Sequence, residues 1–350
     1  MFLEIFLFEI KYRLKRPATY TYFLILFFMS FMAVYSNNLN IGGAAGLVNK
    51  NSPHAINMMV CVMMIFGTMI CSAIMGVPVF RDFENNFHEI MFTTPVKKWQ
   101  YLTGRFFGSY VIAILVFTGL LFGNAFGSIT PGVNTEHIGP FMLQSYLNPL
   151  FIYILPNVFM LGILFFAMGS IFRNQLAIYV QGVVLFCLYM LIISNQRDID
   201  HSRILSIFDP FGFSATVNIT RYWTINEKNH LLVPFTSLLL YNRLLWMGIA
   251  LVVGFLFYRS FRFSSSSNMG SKKRKNVLAE ETVKVSLALP VMTFSNNRWK
   301  LFKQWWFLVR FDFKGVIKAI PFMVITLCGV GLLLINALKI KTNQEPPLLK

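Results

Sequence analysis

Residues 56–105 read INMMVCVMMIFGTMICSAIMGVPVFRDFENNFHEIMFTTPVKKWQYLTGR. Positions 56–80 carry no charged side chain, and at about 1.5 Å per helical residue they are long enough to cross a hydrocarbon core about 30 Å thick. At Arg81 the character changes abruptly: Arg81, Asp82, Glu84, Glu89, Lys97, Lys98 and Arg105 follow within 25 residues, and a second apolar run begins at 106. An apolar span, a charged connection and another span make a membrane-crossing hairpin of helices, and the rest of the chain repeats the theme.

Working outward, seven apolar stretches of span length stand at 19–36, 56–80, 106–128, 150–172, 176–194, 238–258 and 317–337. Their interiors hold neutral polar groups such as Asn124, Asn157, Gln181 and Asn336, with Arg243 near the start of the sixth. Of 350 residues, 56% are apolar and 13% charged, and mean hydropathy is +0.59, which excludes a soluble enzyme. Net charge is +17. In so apolar a chain this points to loops facing anionic lipid, and not to nucleic acid, which needs an accessible basic groove. Cys61, Cys71, Cys187 and Cys328 lie in apolar stretches and imply no disulfide framework. The five histidines show no metal-ligand spacing; His88-Glu89 begins a zinc-protease pattern, but Phe92 stands where the second His belongs.

The basic residues set an orientation. Segments 1–18, 81–105, 173–175 and 259–318 hold 4, 4, 1 and 13 Lys and Arg, against 1, 0, 5 and 3 in 37–55, 129–149, 195–243 and 338–350. The excess predicts a cytoplasmic N-terminus in the inner membrane. Residues 1–16 carry their charges (Lys11, Arg13, Lys15, Arg16) after the apolar residues, which is the reverse of a signal peptide. They predict an amphipathic elbow on the membrane surface.

The connection 81–105 carries the most specific information. Phe83, Phe87, Ile90 and Met91 at helical spacing predict a short helix over 82–92 that beds its apolar face and exposes Asp82, Glu84 and Glu89. Thr94-Pro95 should end it, with Pro95 in the first turn of the next helix and Trp99 and Tyr101 anchored at the interface. Arg81, Glu84, Glu89, Ile90, Thr94, Pro95, Val96 and Gly104-Arg105 stand at the offsets of the loop after the second span of ABC-2 type permeases, with Asn86-Phe87 in place of the usual Gly-Thr. The chain thus resembles the membrane subunit of an ABC-2 type exporter. The resemblance implies an all-α polytopic membrane bundle, a six-span permease unit plus a seventh span opening a second unit. It also implies that a separate ATPase couples through 81–105, with Arg81, Glu84, Phe87, Glu89, Met91, Thr94 and Pro95 as the coupling residues. No Walker A pattern occurs, so ATP would be bound by that partner, and no catalytic residue, metal or cofactor is expected in this chain. Spans without internal charge agree with an external energy source better than with ion coupling.

Four further features bear on the organisation of the chain. Gly119, Gly123 and Gly127 form a small-residue stripe in the third span, for packing within the subunit or at a dimer or pathway interface. The aromatic segment 208–213 and Tyr222-Trp223 predict a 195–243 loop lying on the outer surface or capping the bundle. Residues 263–297, with Lys272, Lys273, Arg274 and Lys275, read as a cytoplasmic basic linker touching lipid headgroups. After it, Trp305-Trp306-Phe307, a basic cluster (Arg310, Lys314, Lys318), Pro321 and a span repeat the order of Phe2 to Tyr35. The expected organisation is therefore 1–262 permease unit, 263–297 linker, and 298–350 elbow and first span of a second unit, which a homodimer or a longer chain would complete. This layout is similar to the large Bacteroidetes ABC-2 permeases that continue into an M1-type aminopeptidase domain. The competing functional class is a membrane-embedded anchoring or interaction subunit without transport of its own.

Overall fold

Prolines and a serine mark where the apolar stretches become helices. The computed structural model describes residues 1–36, 46–173, 175–194, 199–235, 237–261 and 298–318, together with residue 326; among these every regular element is a helix. The chain opens with α1 (Phe2–Leu14). Pro17 and Pro53 then occupy the first turns of α2 (Pro17–Tyr35) and α3 (Pro53–Met75), where a missing N–H has no helical partner to lose. Ser52 Oγ accepts from Ala55 N at 3.2 Å and closes the start of α3. There follow α4 (Val77–Glu84), α5 (Phe87–Thr93), α6 (Lys98–Ile129), α7 (Leu143–Pro149), a π turn (Leu150–Ile154), α8 (Leu155–Phe172) and α9 (Gln175–Ser194). The short helices α10 (Ile199–Phe208), α11 (Phe213–Thr220) and α12 (Ile225–His230) lead into α13 (Ser237–Ser260), and α14 (Arg298–Lys318) is the last described helix.

Five segments are long and apolar enough to cross a membrane, namely Pro17–Tyr35, Pro53–Glu84, Lys98–Ile129, Leu143–Phe172 and Leu238–Ser260, and α9 supplies a shorter apolar helix at Leu176–Met190. These are the first six spans of the sequence reading, in an all-α multi-pass membrane bundle. The linker 263–297 and almost all of the seventh span, 317–337, lie outside the described residues. Three spans run clearly longer than expected, the second reaching from Pro53 to Glu84. The third begins at Lys98, and the fourth starts at Leu143 and passes through the π turn, where Pro149 and Pro156 supply no N–H to the helical ladder.

The core of the bundle is α3, enclosed by α6 and α8. One stripe of α6 explains how its neighbours dock. A Cβ on Gly119 would lie 2.8 Å from Phe23 O and one on Gly127 3.1 Å from Phe31 O, with Gly123 closer still to Phe27 O, so α2 lies directly on the glycines. Gly104 and Gly108 continue the stripe under α1, where a Cβ would come within 2.9 Å of Ile5 Cγ2 and 2.8 Å of Glu9 Cβ respectively. The two ends of the bundle are tied separately. At the end away from α1, Asn51 and the backbone of Gly139 exchange two hydrogen bonds of 2.7 Å, and Lys50 Nζ donates to Val34 O (3.0 Å) and Ser36 O (2.7 Å), placing a cation at the C-terminus of α2.

Candidate functional site

At the α1 end, the charged connection between the second and third spans folds as a braced hairpin. It is two helices and not the single one expected over 82–92: α4 continues almost directly from α3, and the chain breaks at Asn86, which adopts φ +54°. Asparagine is among the few non-glycine residues that enter this left-handed region readily, so it does the work of the glycine that the ABC-2 pattern carries here. Asn85 Nδ2 donates to Arg81 O at 2.9 Å and caps the end of α4. Pro95 lies in the extended connection before α6, whose first residue is Lys98, and not in a helical first turn.

The base of the hairpin is an ion cluster. Glu9 of α1 is fully buried and receives Arg13 Nε at 2.7 Å, Arg81 Nη2 at 2.9 Å and Arg105 Nη1 at 2.7 Å, with Ser109 Oγ at 3.3 Å. Arg105 also reaches Asp82 at 2.8 Å, and Tyr101 OH donates to Asp82 Oδ2 at 2.7 Å. Arg13 Nη2 closes the set onto Ile74 O, the end of α3, at 2.6 Å. Burial alone would raise the Glu9 carboxyl, but the guanidiniums of Arg13, Arg81 and Arg105 outweigh it and hold the pKa at about 2. Four helices are thereby pinned at one point. Asp82, expected to be exposed, is buried because Arg105 and Tyr101 enclose it, and Tyr101, expected at the interface, is buried for the same reason. Arg81 turns inward to Glu9 and over the Tyr12 ring.

The tip has the opposite character. Glu84, Phe87, Glu89, Ile90, Thr94 and Pro95 are exposed, and Met91 is half-buried against the core. Phe87 and Ile90, expected to bed down, instead face outward, because the turn at Asn86 rotates α5 away from the line of α4. His88 is buried against the Phe83 ring, and Arg173, itself at φ +48° after α8, lies 3.8 Å over that ring. Between them opens a cleft of about 390 Å³ lined by Phe83, Glu84, Asn86, His88, Glu89 and Arg173. Among the described residues no group of His, Cys, Asp and Glu is arranged to hold a metal.

The far end contains a second buried arginine that the sequence reading placed at a span margin. Arg243 of α13 is 5% exposed and donates to Asn157 Oδ1 and, at 2.7 Å, to Phe211 O. Its neighbour Asn242 donates to Ser206 O, Ile207 O and Asp209 O, satisfying the end of α10. The buried Asp209 accepts from Phe211 N (2.9 Å) and Ser214 N (2.6 Å) at the start of α11. Phe211 is fully buried against Tyr189, so of the two expected placements, on the outer surface or capping the bundle, the α10–α11 hairpin takes the one that enters the bundle. Gly212, at φ +79°, leaves the room that Arg243 fills.

Six apolar helices joined by a braced polar hairpin and an inserted helical hairpin define a multi-pass membrane protein whose two ends are built differently. Residues 45–258 match the family model of the ABC-2 family transporter proteins, and the chain belongs to that family. It is a membrane permease component of an ABC transporter. No curated protein matches it.

Proposed function

We propose that the chain is the permease of an ATP-driven exporter, engaged by a separate ATPase at the tip of the α4–α5 hairpin. The observation that supports this is the contrast within the hairpin: Glu84, Phe87 and Glu89 are exposed while its base is fixed by Glu9, Asp82, Arg81 and Arg105 to α1, α3 and α6. A lever with a free tip and an anchored base carries a push into two spans and the α1 elbow at once. In this reading α1 and the hairpin face the cytoplasm, as the distribution of Lys and Arg predicts, and the membrane is the cell's inner one. ATP is bound by the partner, and Glu84 and Glu89 make its polar contacts, Phe87 and Met91 its apolar ones. Thr94 and Pro95 set the angle at which α5 is presented.

A second permease half, from another copy or from a longer chain such as the aminopeptidase fusions resembled above, encloses the pathway. The competing reading, an anchoring subunit, leaves the hairpin tip inert. Co-purification with an ATPase encoded beside the gene separates the two: transport coupling requires binding that Glu89→Lys together with Phe87→Ala abolishes, and binding retained in that double variant rejects the tip as the docking site.

A further inference from the structure

Away from the hairpin, α8 packs against both α6 and α13, while α6 and α13 barely meet. Their separation leaves an apolar groove of about 220 Å³ on the bundle surface, floored by Phe159, Ile163 and Phe166 of α8 and walled by Thr103 of α6 and Gly254 and Tyr258 of α13. The floor residues stand at i, i+4 and i+7, so the groove follows the helix axis for about 10 Å. Gly254 keeps it open, since a Cβ there would press on Ile163 Cγ2 at 3.3 Å. The mouth lies at the α1 end of the bundle. There Lys98 Nζ rests 4.5 Å over the Tyr258 ring, and the chain neighbours of these two residues, Lys97 and Arg259, are exposed.

An axial apolar slot with the Lys98 ammonium over the ring at its Tyr258 end matches one chemistry. We propose that this groove is a binding site for a single anionic phospholipid, with an acyl chain along Phe159, Ile163 and Phe166 and the phosphate at Lys98. Charge selects the lipid, because a zwitterionic headgroup brings its own cation to the lysines and gains little from them. The lysine ammonium exchanges its contact with the Tyr258 face for the phosphate, and the ring remains as the slot's rim. The proposal needs only that the bundle spans a bilayer, and stands independently of how an ATPase engages the hairpin.

The test uses the full chain, stripped of lipid in detergent and then given phosphatidylglycerol or phosphatidylcholine with matched acyl chains, and read by native mass spectrometry. One phosphatidylglycerol should be retained at least tenfold more tightly than phosphatidylcholine. Replacing Lys97, Lys98 and Arg259 together by Gln should reduce it to the phosphatidylcholine level. Filling the slot with Gly254→Leu should abolish retention of either lipid, and Thr103→Trp at the mouth should do the same without adding bulk between α8 and α13. Equal retention of the two lipids by the unaltered chain overturns the proposal, as does tight binding that survives Thr103→Trp in a protein that keeps its helical circular dichroism. A helix from a second copy seated in the slot would give dimers that retain no phosphatidylglycerol, which also overturns it.

Discussion

The two buried arginine sites of this bundle solve the same problem in different ways. At the α1 end, Arg105 is matched by Glu9 and Asp82 within 2.8 Å, and Glu9 in turn by Arg13 and Arg81. At the other end, Arg243 finds an amide oxygen and a backbone carbonyl, and no ion pair to it occurs among the described residues. Charge balanced by charge makes a rigid joint, since every member's removal strands a partner in a dry site. Charge balanced by dipoles makes a latch: its acceptors, Phe211 O of the inserted hairpin and Asn157 Oδ1 of α8, tie that hairpin to the bundle, and its loss frees the hairpin. The rigid joint stands under the segment proposed to receive force, and the latch stands where a segment enters the bundle from the far side.

The sharpest way to break this comparison is Glu9→Ala, which leaves three guanidiniums around an empty position and is expected to destabilise the detergent-solubilised protein by about 3–5 kcal/mol. Thermal unfolding should show the drop, with α1 becoming the first segment cut by protease. A loss no larger than that of an exposed acid such as Glu84→Ala would mean that the cluster is not a joint. The pH dependence sharpens the point. The Glu9 pKa is held at about 2 against an ordinary 4.5, so its ionised form stabilises the folded state fully above the ordinary value, and this contribution drains away as pH falls from 4.5 towards 2. Glu9→Gln cannot lose a charge it lacks. In that window its stability should fall less steeply with acid than that of the unaltered chain, and parallel slopes would contradict the cluster.

Arg243→Met should cost less, about 1–3 kcal/mol, because the variant keeps much of the volume, strands the Asn157 Oδ1 and leaves the Phe211 carbonyl with its second donor, Asn157 Nδ2. Its effect should be local. Hydrogen exchange should quicken across 208–220 and remain unchanged at α1. Global unfolding on the scale of Glu9→Ala would show that Arg243 is a joint as well, and the distinction between the two ends would fall.

These sites differ also in how far the sequence exposes them. Glu9 and Arg13 stand four apart on one helix, so their pairing is legible by spacing alone. The links from Glu9 to Arg81 and Arg105 cross 72 and 96 residues, and no local pattern announces them. Asp82 falls on the exposed side of the sequence pattern for the same reason: the period of 82–92 treats the segment as one helix, and the break at Asn86 turns the two halves independently. The spans and the glycine stripe were legible because an apolar run of 20 residues and small residues four apart each have few physical uses in a bilayer. Gly104 and Gly108 belong to the same stripe, yet Gly104 falls in the 81–105 connection and Gly108 only just inside the expected third span, so neither joins the pattern of Gly119, Gly123 and Gly127 on sequence alone. Arg243 reads as a marginal charge because the sequence shows where a span begins, but not that α10 and α11 come down to meet it.

The smallest effect concerns the turn that separates joint from tip. Asn86 holds φ +54°, a conformation that costs a residue with a Cβ about 1 kcal/mol, less for asparagine than for alanine. Asn86→Gly should therefore leave stability unchanged or raise it slightly, while Asn86→Ala should lower it by about 1 kcal/mol. Neither residue change touches the Glu9 cluster, so the acid-sensitive window between pH 4.5 and 2 should persist in both variants. If Asn86→Ala instead erased that window, the turn and the cluster would be one cooperative unit, and the boundary between an anchored base and a free tip would have to move from Asn86 into α5. Unfolding curves of the two variants at neutral and acid pH decide between a hairpin hinged at Asn86 and one that is rigid throughout.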